Sequence, residues 1–178
     1  MDDIVKAALK KWPAVPHCYG WLALDARGDW YMRDDRTQAA GPFPQVKGSR
    51  IQHDKLREFI QRNYDRDERG GWFFQNGPQR VYVELEAAPW VWRLSAQAQG
   101  LGTPQVESHT GRAAAFRAAS VDESGRLFLS TDLGLGLVHT LDMEAAADAI
   151  EQGAWTLEQA THAALLERHG VVLRPSPA

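Results

Sequence analysis

The chain has 178 residues, with 20 Lys and Arg against 23 Asp and Glu, a net charge of −3, 44% apolar residues and 24% charged ones. These proportions match soluble globular proteins and exclude a long disordered chain, a collagen-like repeat and a disulfide scaffold. A pI near 6.1 and dispersed basic residues argue against nucleic-acid binding, which leaves a basic footprint.

Residues 2–12 read as a helix, with Ile4, Val5, Ala8, Leu9 and Trp12 at helical spacing and Pro13 as the stop. Asp2 and Asp3 suit its positive end, Lys10 and Lys11 its negative end. A hairpin follows: Tyr19 to Leu24, a turn at Asp25-Ala26-Arg27-Gly28, and a return over Asp29 to Arg33. Residues 34–49, with Gly41, Pro42, Pro44 and Gly48, read as a loop. Leu56, Phe59, Ile60 and Tyr64 form one apolar stripe of a second helix. Trp72 to Gln75, Asn76-Gly77 and Pro78 to Glu86 predict a hairpin with a type I′ turn. Val81, Val83 and Leu85 face one side of the return strand; Arg80, Tyr82, Glu84 and Glu86 face the other. Trp90 to Leu94 is one more short strand.

From Ser95 to Gly111 no period is visible, and this segment reads as a linker or long loop. Ala115 to Val121 and Arg126 to Thr131 then form a second Asp-x-x-Gly hairpin, followed by a strand over Leu135 to His139. Met143, Ala146, Ala147 and Ile150 line a helix ending at Gly153. Thr156-Leu157-Glu158-Gln159 has the capping-box pattern, which predicts a last helix opening there and ending at Gly170. Val171 to Leu173 is a candidate final strand. Leu24 to Met32 aligns with Val121 to Leu129, which suggests a duplication.

The chemistry-bearing residues give few sharp signals. No Cys-x-x-Cys or His-x-x-x-His pair exists. His162 and His169 are two helical turns apart and read as an exposed helix face, so no metal site is assigned. The single cysteine, Cys18, reads as a buried inert thiol and fits a reducing cytoplasm. No apolar run approaches the ~18 residues of a membrane span, and the Met1-Asp2-Asp3 start is unlike a secretory leader. Arg62, Arg66 and Arg69 alternate with acids and read as a solvated mixed-charge face. Gly100-x-Gly102 and Gly134-x-Gly136 lack the following helix of a phosphate loop and read as a loop or bulge. Trp21, Trp30 and Trp72 suit a core, whereas Trp90 and Trp92, beside the linker, suit a domain interface. Glu84 and Glu86 share a strand face, with Cα atoms roughly 7 Å apart, close enough for acid–base work.

Several segments together resemble an uncharacterised bacterial domain-of-unknown-function family. They are Asp29-Trp30-Tyr31, Ser49 to Leu56, Trp72-Phe73-Phe74, Gln79 to Trp90 and Leu127 to Asp132. The resemblance spans residues 20–140 and departs from the family pattern at Gln79 and Ala87, where acids are usual, and at Asp132-Leu133-Gly134-Leu135, which lacks an acid after the glycine. It implies a duplicated two-domain α+β core whose second domain is superficially like a pleckstrin-homology barrel. It also implies a ligand pocket at the domain junction for a nucleotide-like molecule and a role in signalling, with no enzymatic activity established.

The expectation is therefore an α+β protein of two related antiparallel β-rich units with packed helices, residues 1–96 and 97–178. Its expected function is a cytoplasmic ligand-binding or interaction module, with contacts from Arg50, His53, Trp90, Trp92, Arg93, Thr131 and Asp132. The alternatives are a hydrolase using Glu84 and Glu86, or a module docking a protein partner through an exposed Trp90/Trp92 face. No cofactor, catalytic residue, membrane or nucleic-acid partner is assigned.

Overall fold

The computed structural model describes residues 1–95 and 103–177. It is α+β, with two sheets and several helices. The chain divides into two compact units.

The first unit comprises Met1–Asp25, Asp29–Glu86 and Val171–Ala178. Its elements are α1 (Asp3–Lys11), β1 (Cys18–Leu24), β2 (Trp30–Met32), α2 (Asp35–Ala40), β3 (Ser49–Arg50), α3 (Asp54–Arg62), β4 (Tyr64–Arg66), β5 (Trp72–Asn76) and β6 (Gln79–Leu85). The sheet order is β3-β2-β1-β6-β5-β4, antiparallel except where β1 meets β6 in parallel. The segment expected to be a loop thus holds α2 and β3. Asp34 makes α2 possible by accepting the Thr37 N–H at 2.8 Å. The expected helical stripe ends before Tyr64, which opens β4. Buried Asn63 ends α3 by turning its amide back to the Phe59 carbonyl at 2.9 Å.

The β5–β6 turn is also of another type than expected. Asn76 pairs with Gln79, so the two loop residues are Gly77 and Pro78. Only Gly77 takes positive φ, at 57°, which is the requirement of a type II′ turn and not of type I′.

The second unit comprises Ala26–Gly28 and Ala87–Gly170. Its elements are β7 (Trp90–Ser95), β8 (Gln105–Ser108), β9 (Ala113–Ala114), β10 (Phe116–Val121), β11 (Leu127–Thr131), β12 (Gly134–Val138), α4 (Met143–Glu151), β13 (Leu157–Gln159) and α5 (His162–His169). The sheet order is β13-β10-β11-β12-β7-β8-β9. The observed division falls between Glu86 and Ala87, not between residues 96 and 97. The reason is that β7 pairs with β8 and β12 inside this sheet. Of the expected linker, residues 96–102, including Gly100-x-Gly102, lie outside the described residues.

The capping box at Thr156 does not open a helix. Leu157–Gln159 instead pairs in parallel with Ala119–Val121 of β10. The helix starts later, with Thr161 accepting the Ala164 N–H at 3.2 Å. At the C-terminus, Val172 makes a single parallel bridge to Gly71 rather than a strand.

One hairpin turn recurs. Asp25, Asp67, Ser108 and Asp122 each donate their N–H to the carbonyl of the residue four positions on. Each also accepts that residue's N–H on its side-chain oxygen, over 2.8–3.2 Å. The fourth residue of every turn is a glycine at positive φ, Gly28, Gly70, Gly111 or Gly125, the three-residue loop with a left-handed closing residue. The alignment of Leu24–Met32 with Val121–Leu129 therefore reports a turn used twice in each sheet. A deeper likeness lies in strand order: β7 to β12 repeat the order and directions of β1 to β6, with the parallel β12–β7 pair standing where β6–β1 stands. Among the described residues, no helix is long and apolar enough to cross a membrane.

Candidate ligand-binding groove

The residues expected to bind a ligand mostly have partners inside their own unit. In the first unit, Arg50 donates to Asp29 at 2.7 Å, and His53 caps α3 by accepting the Leu56 N–H on Nδ1. In the second, Trp90 and Trp92 stack 6.0 Å apart and are 2% and 0% exposed. Their indole N–H groups donate to the carbonyls of Leu133 and Leu129 at 2.8 and 3.0 Å. No exposed Trp90/Trp92 face exists in this unit; the two rings are core. Gly136 makes that possible, because a Cβ there would come within 2.3 Å of Trp92 Nε1. The Gly134-x-Gly136 pattern is thus part of β12, and its second glycine is the floor on which the indoles rest.

Arg93 pairs with Asp142, whose carboxylate also accepts the Leu94 N–H. Thr131 is buried and accepts the Leu133 N–H at 3.0 Å. Asp132 accepts the Ala115 N–H at 2.7 Å. Glu84 is held by Arg33, and Glu86 lies 3.3 Å from Lys47, which also binds buried Asp25. The two carboxylates of the hydrolase reading are therefore held as ion pairs. His162 and His169 are not an exposed face: their Nε2 atoms meet the Ala87 carbonyl at 2.7 Å and Ser130 Oγ at 2.9 Å. No group of three or more His, Cys, Asp or Glu converges among the described residues.

A large, open polar concavity lies in the first unit, beside β1 and β6. Its volume is about 850 Å³, and its walls include His17, Tyr19, Arg66, Asp67, Arg69, Arg80 and Tyr82. Alternation along β6 puts Arg80 and Tyr82 on one face of the sheet. Tyr19 lies on Tyr82 with ring centres 4.7 Å apart and planes within 3°, and His17 is 5.6 Å from the Tyr82 ring. Arg80 sits over the Phe73 ring at 4.5 Å. A smaller recess shares Tyr19, Asp67, Arg69 and Tyr82 and adds Val172, Pro175 and Ser176. The chain reaches this wall because Val172 and Leu173 bond in backbone fashion to Gly70 and Leu85.

Asp67 shapes the electrostatics. Its carboxylate accepts the Tyr82 hydroxyl at 2.7 Å and the N–H groups of Arg69 and Gly71. Burial pushes its pKa up, but these donors and the Arg80 charge outweigh burial and hold it below the usual carboxylate range. Tyr82 is pushed up, first by burial and then by its bond to Asp67. Asp67 is thus turned onto fixed donors, and the other charged residues of the lining are Arg66, Arg69 and Arg80 together with Glu68. Such an arrangement can stack a planar ring and pair with an anionic group. Sequence reading missed it because Arg66 and Arg69 look like a solvated charge run. The available signal was Arg80-x-Tyr82 opposite an Asp-x-x-Gly turn flanked by arginines.

Comparison with known proteins adds a family. A family model described as "Protein of unknown function (DUF2946)" matches residues 1–176. The chain belongs to that family. For this DUF2946-described family, as for the family resembled in sequence, the description states no function. No curated protein matches the chain. A solved structure, the crystal structure of a DUF1285 family protein from Shewanella baltica OS155 at 1.40 Å, aligns at 14% identity. The alignment covers 72% of this chain and 91% of that one, with a TM-score of 0.49.

Proposed function

We propose that the protein is a ligand-binding module, not a catalyst, and that its ligand is a nucleotide-like anion held in the groove of the first unit. The observation that carries this reading is the Tyr19–Tyr82 stack beside Arg69 and Arg80 in a concavity of about 850 Å³. Ligand sites of this size are common, and a few placed polar groups give them selectivity. The ring of the ligand lies against Tyr19 and His17, and its phosphate meets the arginines, whose planar forks suit phosphate oxygens. Binding is favoured over hydrolysis because Glu84 and Glu86 are each engaged by a cation. Reversible capture of such a ligand is what a cytoplasmic signalling role requires. The strand order shared by the two sheets supports a duplicated core.

The test is a thermal-shift and calorimetric titration with mononucleotides, cyclic nucleotides, sugar phosphates and inorganic phosphate. A ligand present at a hundred times its Kd stabilises by about 2.7 kcal/mol, a shift of several degrees for a chain of this length. The shift is expected for nucleotides and is expected to vanish in Arg80→Ala. A flat response across the nucleotides, or an undiminished one in Arg80→Ala, overturns the proposal.

A further inference from the structure

A second cavity lies on the other face of the same sheet. Val81 and Tyr82 are neighbours on β6 and point to opposite faces; Tyr82 lines the anion groove and Val81 lines this second space. It occupies about 320 Å³ between the sheet and α3, within the size range of small-molecule sites. None of its lining residues is charged. Three of them are aromatic, Trp21, Phe59 and Phe74, and the thioether of Met32 and the thiol of Cys18 complete much of the wall.

Two exposures set this cavity apart from an ordinary seam in the core. Trp21 of β1 is 38% exposed and Met32 of β2 48% exposed, although Leu22 and Leu24 of β1 are almost completely buried. Phe59 and Phe74 meet edge to face at 5.4 Å, so part of the wall is already ordered. A charged ligand would lose its hydration here without gaining a counter-charge. A neutral flat ring keeps the aromatic and sulfur contacts on both sides. The only amide in the lining is the Asn76 side chain, which offers one hydrogen-bonding end.

We propose that this cavity is a binding site for a neutral planar aromatic molecule, separate from the anion groove. An apolar recess open to solvent releases its water to an apolar guest of matching shape, because burying apolar surface is favourable. The site stands whether or not the groove binds nucleotides, because no residue is shared between the two linings.

Cys18 is the only cysteine of the chain, so a thiol label marks one residue, and that residue lines this cavity. The experiment measures the rate at which N-ethylmaleimide labels Cys18 in the full chain, with and without the neutral probe N-phenyl-1-naphthylamine. The probe's fluorescence is titrated in parallel. Burial pushes the Cys18 thiol up, so labelling is followed at about pH 8.5, the ordinary thiol pKa. Saturable binding is expected, with labelling slowed at least fivefold at saturation and unchanged by mononucleotides. Met32→Glu, at the exposed mouth, is expected to weaken the probe at least tenfold while leaving the melting temperature within a few degrees. Absence of saturable binding overturns the proposal, and so does binding that leaves the Cys18 rate unchanged. Should Met32→Glu fail to fold, the protection measured in the parent chain decides alone.

Discussion

The Tyr82 hydroxyl donates to Asp67 Oδ2 at 2.7 Å, tying the middle of β6 to the turn between β4 and β5. This bond turns a carboxylate that lines an arginine-rich groove onto a neutral donor. Tyr82→Phe keeps the ring that stacks on Tyr19 and removes only the bond. The Asp67 pKa should then rise only part of the way toward the ordinary carboxylate value, since the N–H groups of Arg69 and Gly71 remain as donors that lower it. The stability loss should be about 1 kcal/mol, the size of one net hydrogen bond. Carboxyl-carbon NMR titration of both chains checks the shift, and urea unfolding checks the loss. An Asp67 pKa unmoved by Tyr82→Phe would mean that the hydroxyl does not set the charge of the groove.

Acid should unfold the protein through a small set of carboxylates. In Asp67, Asp122 and Asp142 burial raises the pKa, and hydrogen bonds and arginines outweigh it, so each is net lowered. For Asp122 the opposing groups are the Arg126 N–H and guanidinium and the Ser124 N–H. For Asp142 they are Arg93 and the Leu94 N–H. A carboxylate whose folded pKa is depressed adds stability that is complete above its unfolded pKa. That stability is lost as pH falls through the folded value. The melting temperature should therefore hold steady near neutrality and drop below about pH 4, the unfolded aspartate value. Asp122→Asn should melt lower at neutral pH and show a shallower acid decline. A parallel decline in both chains would remove Asp122 from the set.

The local rules that succeeded in the sequence were those written in adjacent residues. Asp-x-x-Gly marks a turn because the Asp oxygen, the free N–H and the glycine lie within five residues, and the turns expected at Asp25 and Asp122 both form their hairpins. Thr156-Leu157-Glu158-Gln159 failed because a parallel edge on β10 was available to Leu157–Gln159, and strand pairing overrode a cap worth about 1 kcal/mol. The fate of Trp90 and Trp92 was not legible near them, since Gly136, on a strand far along the chain, lets them sink into the core. The groove was hidden for the same reason. His17, Arg66, Arg80 and the C-terminal segment converge only once β1 pairs with β6 and Val172 meets Gly71.

That dependence on Gly136 makes a sharp prediction. Gly136 pairs with Trp90 across the β12–β7 ladder, and a Cβ placed on it would meet Trp90 Cβ at 2.7 Å and Trp92 Nε1 at 2.3 Å. Trp92 has no room to retreat, since it is 0% exposed and bonded to Leu129. Gly136→Ala should thus cost about 1–3 kcal/mol, the range for overpacking a tight core. In a Trp92→Phe background, the smaller ring should absorb part of that cost. Chemical denaturation of the two single variants and the double variant measures the coupling. Additive losses would mean that the indole of Trp92 is not what excludes a side chain at this position.

Arg33 and Glu84 offer the largest expected single-residue effect. The Arg33 side chain is 3% exposed and Glu84 18%. The guanidinium binds Glu84 and also donates to the carbonyls of Gly41 and Val46, at 2.7 and 3.2 Å. One side chain thereby anchors the segment between α2 and β3 to the central strand β6. Arg33→Met strands a carboxylate and two carbonyls at once, and removing one partner of a buried pair costs about 3–5 kcal/mol. Glu84→Gln keeps an acceptor for the guanidinium and should cost less, about 1–3 kcal/mol. The double variant Arg33→Met/Glu84→Gln should lose clearly less than the sum, because no charge is left unpaired. Urea unfolding of the four chains closes the cycle. A double variant as unstable as the two losses added together would show that Arg33 holds the segment through the carbonyls alone, with Glu84 a bystander.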